Sequence, residues 1–194
     1  KNLIKLPWKL EATAPPFEGN DIKSPESLYR HIYKAYTQKG DKIFDPFVGL
    51  GTSMFVAEEM KRTPFGFEAE TQKFEWVAGQ MEHWTQMICD DAFNVSKYDL
   101  PKIDLITTCP PFMEAHIKWN PLYGGDPKYD GYEKYLRRMG NIFKKITPIM
   151  KKSTPLIIQL DNIHGKRRFT PLIHDVAQVI SKNFTQIGET QVQW

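Results

Sequence analysis

Two hydrophobic periods alternate along the chain. Short apolar runs stand at 42–44, 64–67, 86–89, 103–107 and 155–160, each too short for a helix and bounded by turn residues. Between them, apolar residues recur at helical spacing over 53–60, 71–86, 131–151 and 172–182. In the long third segment Tyr135, Met139, Ile142, Phe143 and Ile146 share one side. Strand and helix in alternation, with few hairpin signals, predict an α/β fold with a parallel sheet covered on both faces. A further helix precedes the first strand. Ser24 stands at its N-cap and Pro25 in its first turn, Leu28, Ile32, Tyr33 and Tyr36 form its apolar face, and Gly40 ends it. Residues 1–26 read as an irregular arm and 184–194 as one or two strands. The expected division is an arm over 1–23 and one domain over 24–194.

Composition narrows the class. The chain has 194 residues, 41% hydrophobic and 25% charged, which suits one globular domain. Net charge is +3, unevenly spread. Residues 1–97 hold 12 Lys and Arg against 14 Asp and Glu, and residues 98–194 hold 14 against 9, so the halves carry −2 and +5. A basic second half is compatible with a polyanionic partner, although a solvated lysine face gives the same count. Two cysteines, Cys89 and Cys109, exclude a disulfide framework or a Cys-rich zinc site. The five histidines lack metal-ligand spacing, so no metal is expected. No apolar run approaches a membrane span and no signal peptide is read, so a cytoplasmic location is expected.

In parallel sheets, ligands bind beyond the carboxyl ends of the strands. The first strand is followed by Asp45-Pro46-Phe47-Val48-Gly49-Leu50-Gly51-Thr52. Its glycines permit a tight turn close to a ligand, and Asp45 suits a cationic amine better than a pyrophosphate. Glu68 ends the second strand, placed to accept from ribose hydroxyls. Asp90-Asp91-Ala92 follows the third strand, and either carboxylate suits an adenine amino group. Thr108-Cys109-Pro110-Pro111-Phe112 follows the fourth. Two prolines stiffen the backbone and remove two donors, leaving carbonyls beside an aromatic ring. That suits a planar heterocycle bearing an amino group. A rigid loop with a buried Phe is the plainer reading of the same residues.

Together these motifs, in this order, resemble the S-adenosylmethionine-dependent amino-methyltransferases of the N4-cytosine and N6-adenine type. The segment from Asp45 to Thr52 resembles their Asp-Pro-Phe-x-Gly-x-Gly-Thr motif. Thr108 to Phe112 resembles their Thr-Ser-Pro-Pro-Tyr motif, which favours cytosine N4 over adenine N6. The resemblance implies a Rossmann-like methyltransferase fold with a mostly parallel seven-stranded sheet. It implies that Asp45, Phe47, Gly49, Gly51, Thr52, Glu68 and Asp91 bind S-adenosylmethionine. It also implies that Cys109 and Pro110 hold the target amine, next to Pro111, while Phe112 stacks on the base. Cys109 stands where the family has Ser, Asp or Asn, and Phe112 where it has Tyr. These departures motivate a second reading, a catalytically silent relative that binds cofactor or nucleic acid. An RNA base is a further alternative to DNA.

The loop 112–132 interleaves His116, Trp119, Tyr123, Tyr129 and Tyr132 with Lys118 and Lys128, which suits base stacking and phosphate contact. Lys166, Arg167 and Arg168 follow the fifth strand on the same rim and suit backbone phosphates. Substrate contacts are therefore expected from Trp119, Tyr123, Lys166, Arg167 and Arg168. Little chain is left over for target recognition. Specificity is expected to be low, or to come from residues outside this sequence or from a partner subunit.

Overall fold

The computed structural model describes residues 2–11, 15–17, 23–165 and 168–194. The elements run β1 (Asn2–Lys5), α1 (Glu26–Tyr36), β2 (Lys42–Asp45), α2 (Thr52–Glu59), β3 (Thr63–Phe67), α3 (Thr71–Ala78) and β4 (Met87–Ile88). They continue with β5 (Leu105–Thr108), α4 (Tyr132–Ile146), β6 (Leu156–Ile158), β7 (Ile163–His164), β8 (Phe169–Thr170), α5 (Leu172–Ile180) and β9 (Thr190–Gln193).

The central sheet is parallel throughout, in the order β4-β3-β2-β5-β6. Successive strand residues face opposite sides, and this builds two cores. Phe44 and Ile106 pack with Tyr135, Met139, Ile142 and Phe143 of α4 and Leu172 and Val176 of α5. Their neighbours Ile43 and Leu105 pack with Leu28, Tyr29, Ile32 and Tyr33 of α1 and Val56 and Ala57 of α2. Each buried side chain of this size contributes ~1.5–3 kcal/mol, so the sheet is held firmly from both faces.

Among the described residues this sheet has five strands, not the expected seven. β7 and β8 pair antiparallel with each other, and β9 pairs parallel with β1 instead of extending the sheet past β6. Thus Asn2–Lys5 form a strand where an irregular arm is expected. Helix α1 also differs from its sequence reading. Ser24 does not cap it, because its hydroxyl donates to Gln159 Oε1 at 2.8 Å. Pro25 takes the N-cap position, and the helix stops at Thr37, whose N–H donates to the Tyr33 carbonyl. Tyr36 is exposed, leaving Leu28, Ile32 and Tyr33 as the buried stripe. The 71–86 helix stops at Ala78, and a short 3-10 turn covers Trp84–Gln86.

Candidate active site

All five central strands point the same way, so their carboxyl ends share one rim. The chain winds from β2 out to β4, then returns across β2 to β5. The crevice between β2 and β5 is therefore the switch point of the sheet. Asp45 ends β2, and Cys109 directly follows β5.

Asp45 is 1% exposed and heavily bonded. Its Oδ1 accepts from the Thr108 hydroxyl at 2.6 Å and the Phe47 N–H at 2.9 Å, and its Oδ2 accepts from the Ser53 hydroxyl at 2.5 Å. Three of about four acceptor positions on the carboxylate are thus filled. Burial raises its carboxyl above the ordinary range, partly countered by Ser53, Thr108 and Phe47. Thr52 opens α2 beside this network and is buried.

The glycine loop is shaped by contacts and backbone conformation. Gly51 has φ +80°, and a Cβ there would come within 2.8 Å of Val77 Cγ1 and 2.9 Å of the Phe55 ring. Gly49 has φ +55° and open space around it, and its N–H donates to Glu68 Oε2 at 2.8 Å. Glu68 Oε1 accepts from the Glu70 N–H at 2.8 Å. Burial raises the Glu68 carboxyl, partly offset by those two N–H groups. Gly66 lies beneath the loop, where a Cβ would stand 2.4 Å from Val48 Cγ2. Asp45, the loop and Glu68 therefore form one bonded unit.

Asp91 caps a 3-10 turn over Ala92–Lys97 through the Phe93 N–H at 2.8 Å, and its Oδ2 accepts from Arg138 Nη2 at 2.5 Å. Asp90 accepts from Asn94 and the Tyr98 hydroxyl, which hold its carboxyl below the usual range against the opposing effect of burial.

The stretch after β5 is anchored on both sides. The Gln159 N–H donates to the Thr108 carbonyl at 2.9 Å, and the Tyr135 hydroxyl donates to the Pro111 carbonyl at 2.8 Å. Pro110 is buried, while Pro111, Phe112 and Cys109 are half-buried. Burial pushes the Cys109 thiol up to about 11, opposed by a hydrogen bond with Ser24. The thiol is therefore neutral near pH 7 and unsuited to act as a nucleophile.

Phe112, Met113, Glu114, Ile117, Trp119, Pro121 and Ile163 line a cleft of about 290 Å³. Trp119 is 56% exposed, and its indole is seated against Gly125, where a Cβ would lie 1.9 Å from Nε1. That glycine leaves room for the indole. Tyr123 is half-buried and stacks on Tyr129. Arg168 is exposed, and Lys166 and Arg167 lie outside the described residues. The structure thus gathers Asp45, Phe47, Gly49, Gly51, Thr52 and Glu68 around one loop. Cys109 to Phe112 sit next to them through the Thr108–Asp45 bond.

Sequence reasoning missed Ser53, Thr108, Tyr135 and Arg138 as partners of the site. Tyr135 is readable from sequence only as part of the apolar face of α4. Arg138 stands on that helix among polar residues with no local signal.

The residues present fit S-adenosylmethionine. About one acceptor position on Asp45 and the remaining lone pairs of Glu68 are not used by the hydrogen bonds above, which is the donor-accepting chemistry such a group would need. Among the described residues no group of three or more His, Cys, Asp or Glu side chains could hold a metal. No helix among them is long and apolar enough to cross a membrane.

Residues 8–78 match the N6/N4 DNA methylase family model. Type II methyltransferase M.MjaI of Methanocaldococcus jannaschii is 34% identical over 66 residues, covering 32% of this chain and 22% of the relative. The chain thus spans about a fifth of the curated relatives it matches. In fold, the PH0226 protein of Pyrococcus horikoshii superposes with TM-score 0.57 at 16% identity, over 84% of this chain and 81% of that one. An SAM-dependent O-methyltransferase of Thermotoga maritima gives 0.53 at 13% identity, over 84% and 52%. Residues 8–78 thus resemble the N6/N4 DNA methylases, and the chain as a whole has the Rossmann-like fold of its structural neighbours.

Proposed function

We propose that this protein transfers a methyl group from S-adenosylmethionine to the exocyclic amine of a DNA base, cytosine N4 in preference to adenine N6. One observation carries the reading. Thr108, the first residue of the Thr-Cys-Pro-Pro-Phe stretch, hydrogen-bonds Asp45 of the cofactor loop across the switch point. The two motifs thus form a single site.

In this reading the Asp45 carboxylate accepts from the ammonium of the cofactor, Glu68 from its ribose and Asp91 from its adenine. The cofactor supplies an electrophilic methyl on a sulfonium. The Pro110 carbonyl and the Cys109 sulfur orient the target amine, and Phe112 stacks on the ring. Because the thiol is neutral, it contributes a weak hydrogen bond and no charge. Catalysis then rests on positioning and fixed dipoles. The neighbouring cleft, with Trp119 at its edge and Glu114 in its wall, offers room for a second base or sugar. Arg168, with Lys166 and Arg167, is assigned to the phosphate backbone.

The weak acceptor at Cys109 favours a second reading, a silent relative that binds cofactor without turnover. One experiment separates the two. The protein is incubated with methyl-labelled S-adenosylmethionine and pools of DNA, RNA and protein. Label in DNA is expected. Label only in RNA moves the substrate, and no label despite measurable S-adenosylhomocysteine binding supports the silent relative.

A further inference from the structure

The Asp91 turn and the loop before α4 are far apart in sequence, and one α4 side chain touches both. Arg138 Nη2 donates to Asp91 Oδ2 at 2.5 Å. Its guanidinium lies 4.6 Å from the Phe93 ring centroid and 4.0 Å from that of Tyr123. The stacking continues at both ends. Tyr123 lies nearly parallel to Tyr129 at 4.2 Å and 7°, and Lys128 Nζ is 5.4 Å from the Tyr129 ring. On the other side Lys145 Nζ stands 3.9 Å from Phe93. A continuous column of cations and rings therefore runs from the substrate loop to the turn that carries Asp91.

Stability alone accounts poorly for an arginine here. Its side chain is 12% exposed, and its Nε is buried without a hydrogen-bond partner among the described residues. A buried unsatisfied donor is costly, and an apolar residue of similar length would avoid that cost. What arginine supplies is a flat cation that bonds a carboxylate edge-on while rings cover its faces.

We propose that Arg138 is a positioning residue coupling the adenine end of the cofactor site, at Asp91, to the loop that receives the substrate. This rests on the cofactor reading given above. Asp91 keeps an acceptor position beside each of its two bonds. A ligand amine docked there fixes the carboxylate, and through it the guanidinium. The Tyr123–Tyr129 stack then gains a rigid base. Because coupling is reciprocal, an ordered loop tightens cofactor binding by the same factor.

Trypsin reports the loop, since Lys118 and Lys128 are exposed. Saturating S-adenosylhomocysteine is expected to slow cleavage at both sites about fivefold or more in the wild type, within the usual range of coupling factors. Arg138→Met is expected to bind the same ligand and lose the slowing, and Arg138→Lys to recover part of it. Should Arg138→Met fail to fold, Tyr123→Leu breaks the column on the loop side and must lose the slowing as well. Slowing that survives these changes, or a wild type that binds without slowing, overturns the proposal. If the wild type binds no S-adenosylhomocysteine, the cofactor reading fails, and ligand-free digestion decides the coupling. Asp91→Asn must then speed cleavage at Lys128 in the wild-type background but not beside Arg138→Met. Equal acceleration in both overturns it.

Discussion

Replacing Asp45 separates its structural role from its proposed binding role. Three donors converge on its carboxylate: the Ser53 hydroxyl, the Thr108 hydroxyl and the Phe47 N–H. Asp45→Ala strips all three of their acceptor. A buried polar group left unpaired costs about 1–3 kcal/mol, so a loss of roughly 3 kcal/mol or more is expected. Asp45→Asn keeps one oxygen for Thr108 and Phe47, and the Ser53 hydroxyl can turn to accept from the new amide. Its stability at pH 7 should stay within about 1 kcal/mol of wild type, or exceed it, because a buried charge is gone. Binding should still suffer. A charge-assisted bond is worth about 1.5–3 kcal/mol, so Kd for S-adenosylhomocysteine should rise roughly tenfold to hundredfold.

The pH dependence carries a definite sign. Burial, against the hydrogen bonds, raises the folded Asp45 carboxyl above its ordinary 3.8. The folded chain then holds that proton more tightly than the unfolded chain does. This contribution to stability is complete below 3.8 and is lost as pH rises through the folded value. Asp45→Asn lacks it, so wild type should gain on the variant as pH falls from neutral toward 4. Urea unfolding at several pH values and calorimetry with S-adenosylhomocysteine provide both readouts. A folded Asp45→Asn with unchanged Kd would refute the ammonium assignment. A variant as unstable as Asp45→Ala would refute the hydrogen-bond account.

Other substitutions probe separate parts of the site. Gly66→Ala forces a Cβ to within 2.4 Å of Val48 Cγ2 and 3.0 Å of Met54 Sδ. It should cost about 1–3 kcal/mol in urea unfolding and weaken S-adenosylhomocysteine binding, as overpacking beneath the loop would. Cys109→Ser replaces a weak acceptor with a stronger one, so methyl transfer should hold or rise. Complete loss would show that the thiol has another role. Changing Lys166, Arg167 and Arg168 together to Ala should weaken DNA binding and reduce the slope of log K against log salt by up to roughly 2–3. An unchanged slope would remove them from the phosphate contacts.

Particular residues show what was legible in the sequence. Asp45, Gly49, Gly51 and Glu68 were readable because a parallel sheet puts every strand's carboxyl end on one rim. Position after a strand was then enough to group them. The partners of those residues were not readable. Thr108 meets Asp45 across 63 residues and Arg138 meets Asp91 across 47, and no local pattern encodes such pairs. Ser24 shows a local rule yielding to a distant one. Its place before Pro25 suits an N-cap, yet its hydroxyl serves Gln159, 135 residues away. The placement of the last strand is unreadable for a similar reason. Apolar alternation near residue 190 marks a strand, but not that its partner is the first strand of the chain.

The most direct test of the central claim identifies the product. The full chain is incubated with unmodified plasmid DNA and S-adenosylmethionine carrying a deuterated methyl group. The DNA is then digested to nucleosides and resolved by mass spectrometry. The expected product is deuterium-labelled N4-methyldeoxycytidine, lost with Asp45→Ala. Unlabelled nucleosides from a protein that binds S-adenosylhomocysteine, or label on carbon 5 of cytosine, would contradict the assignment of an amine substrate at the Cys109–Phe112 stretch.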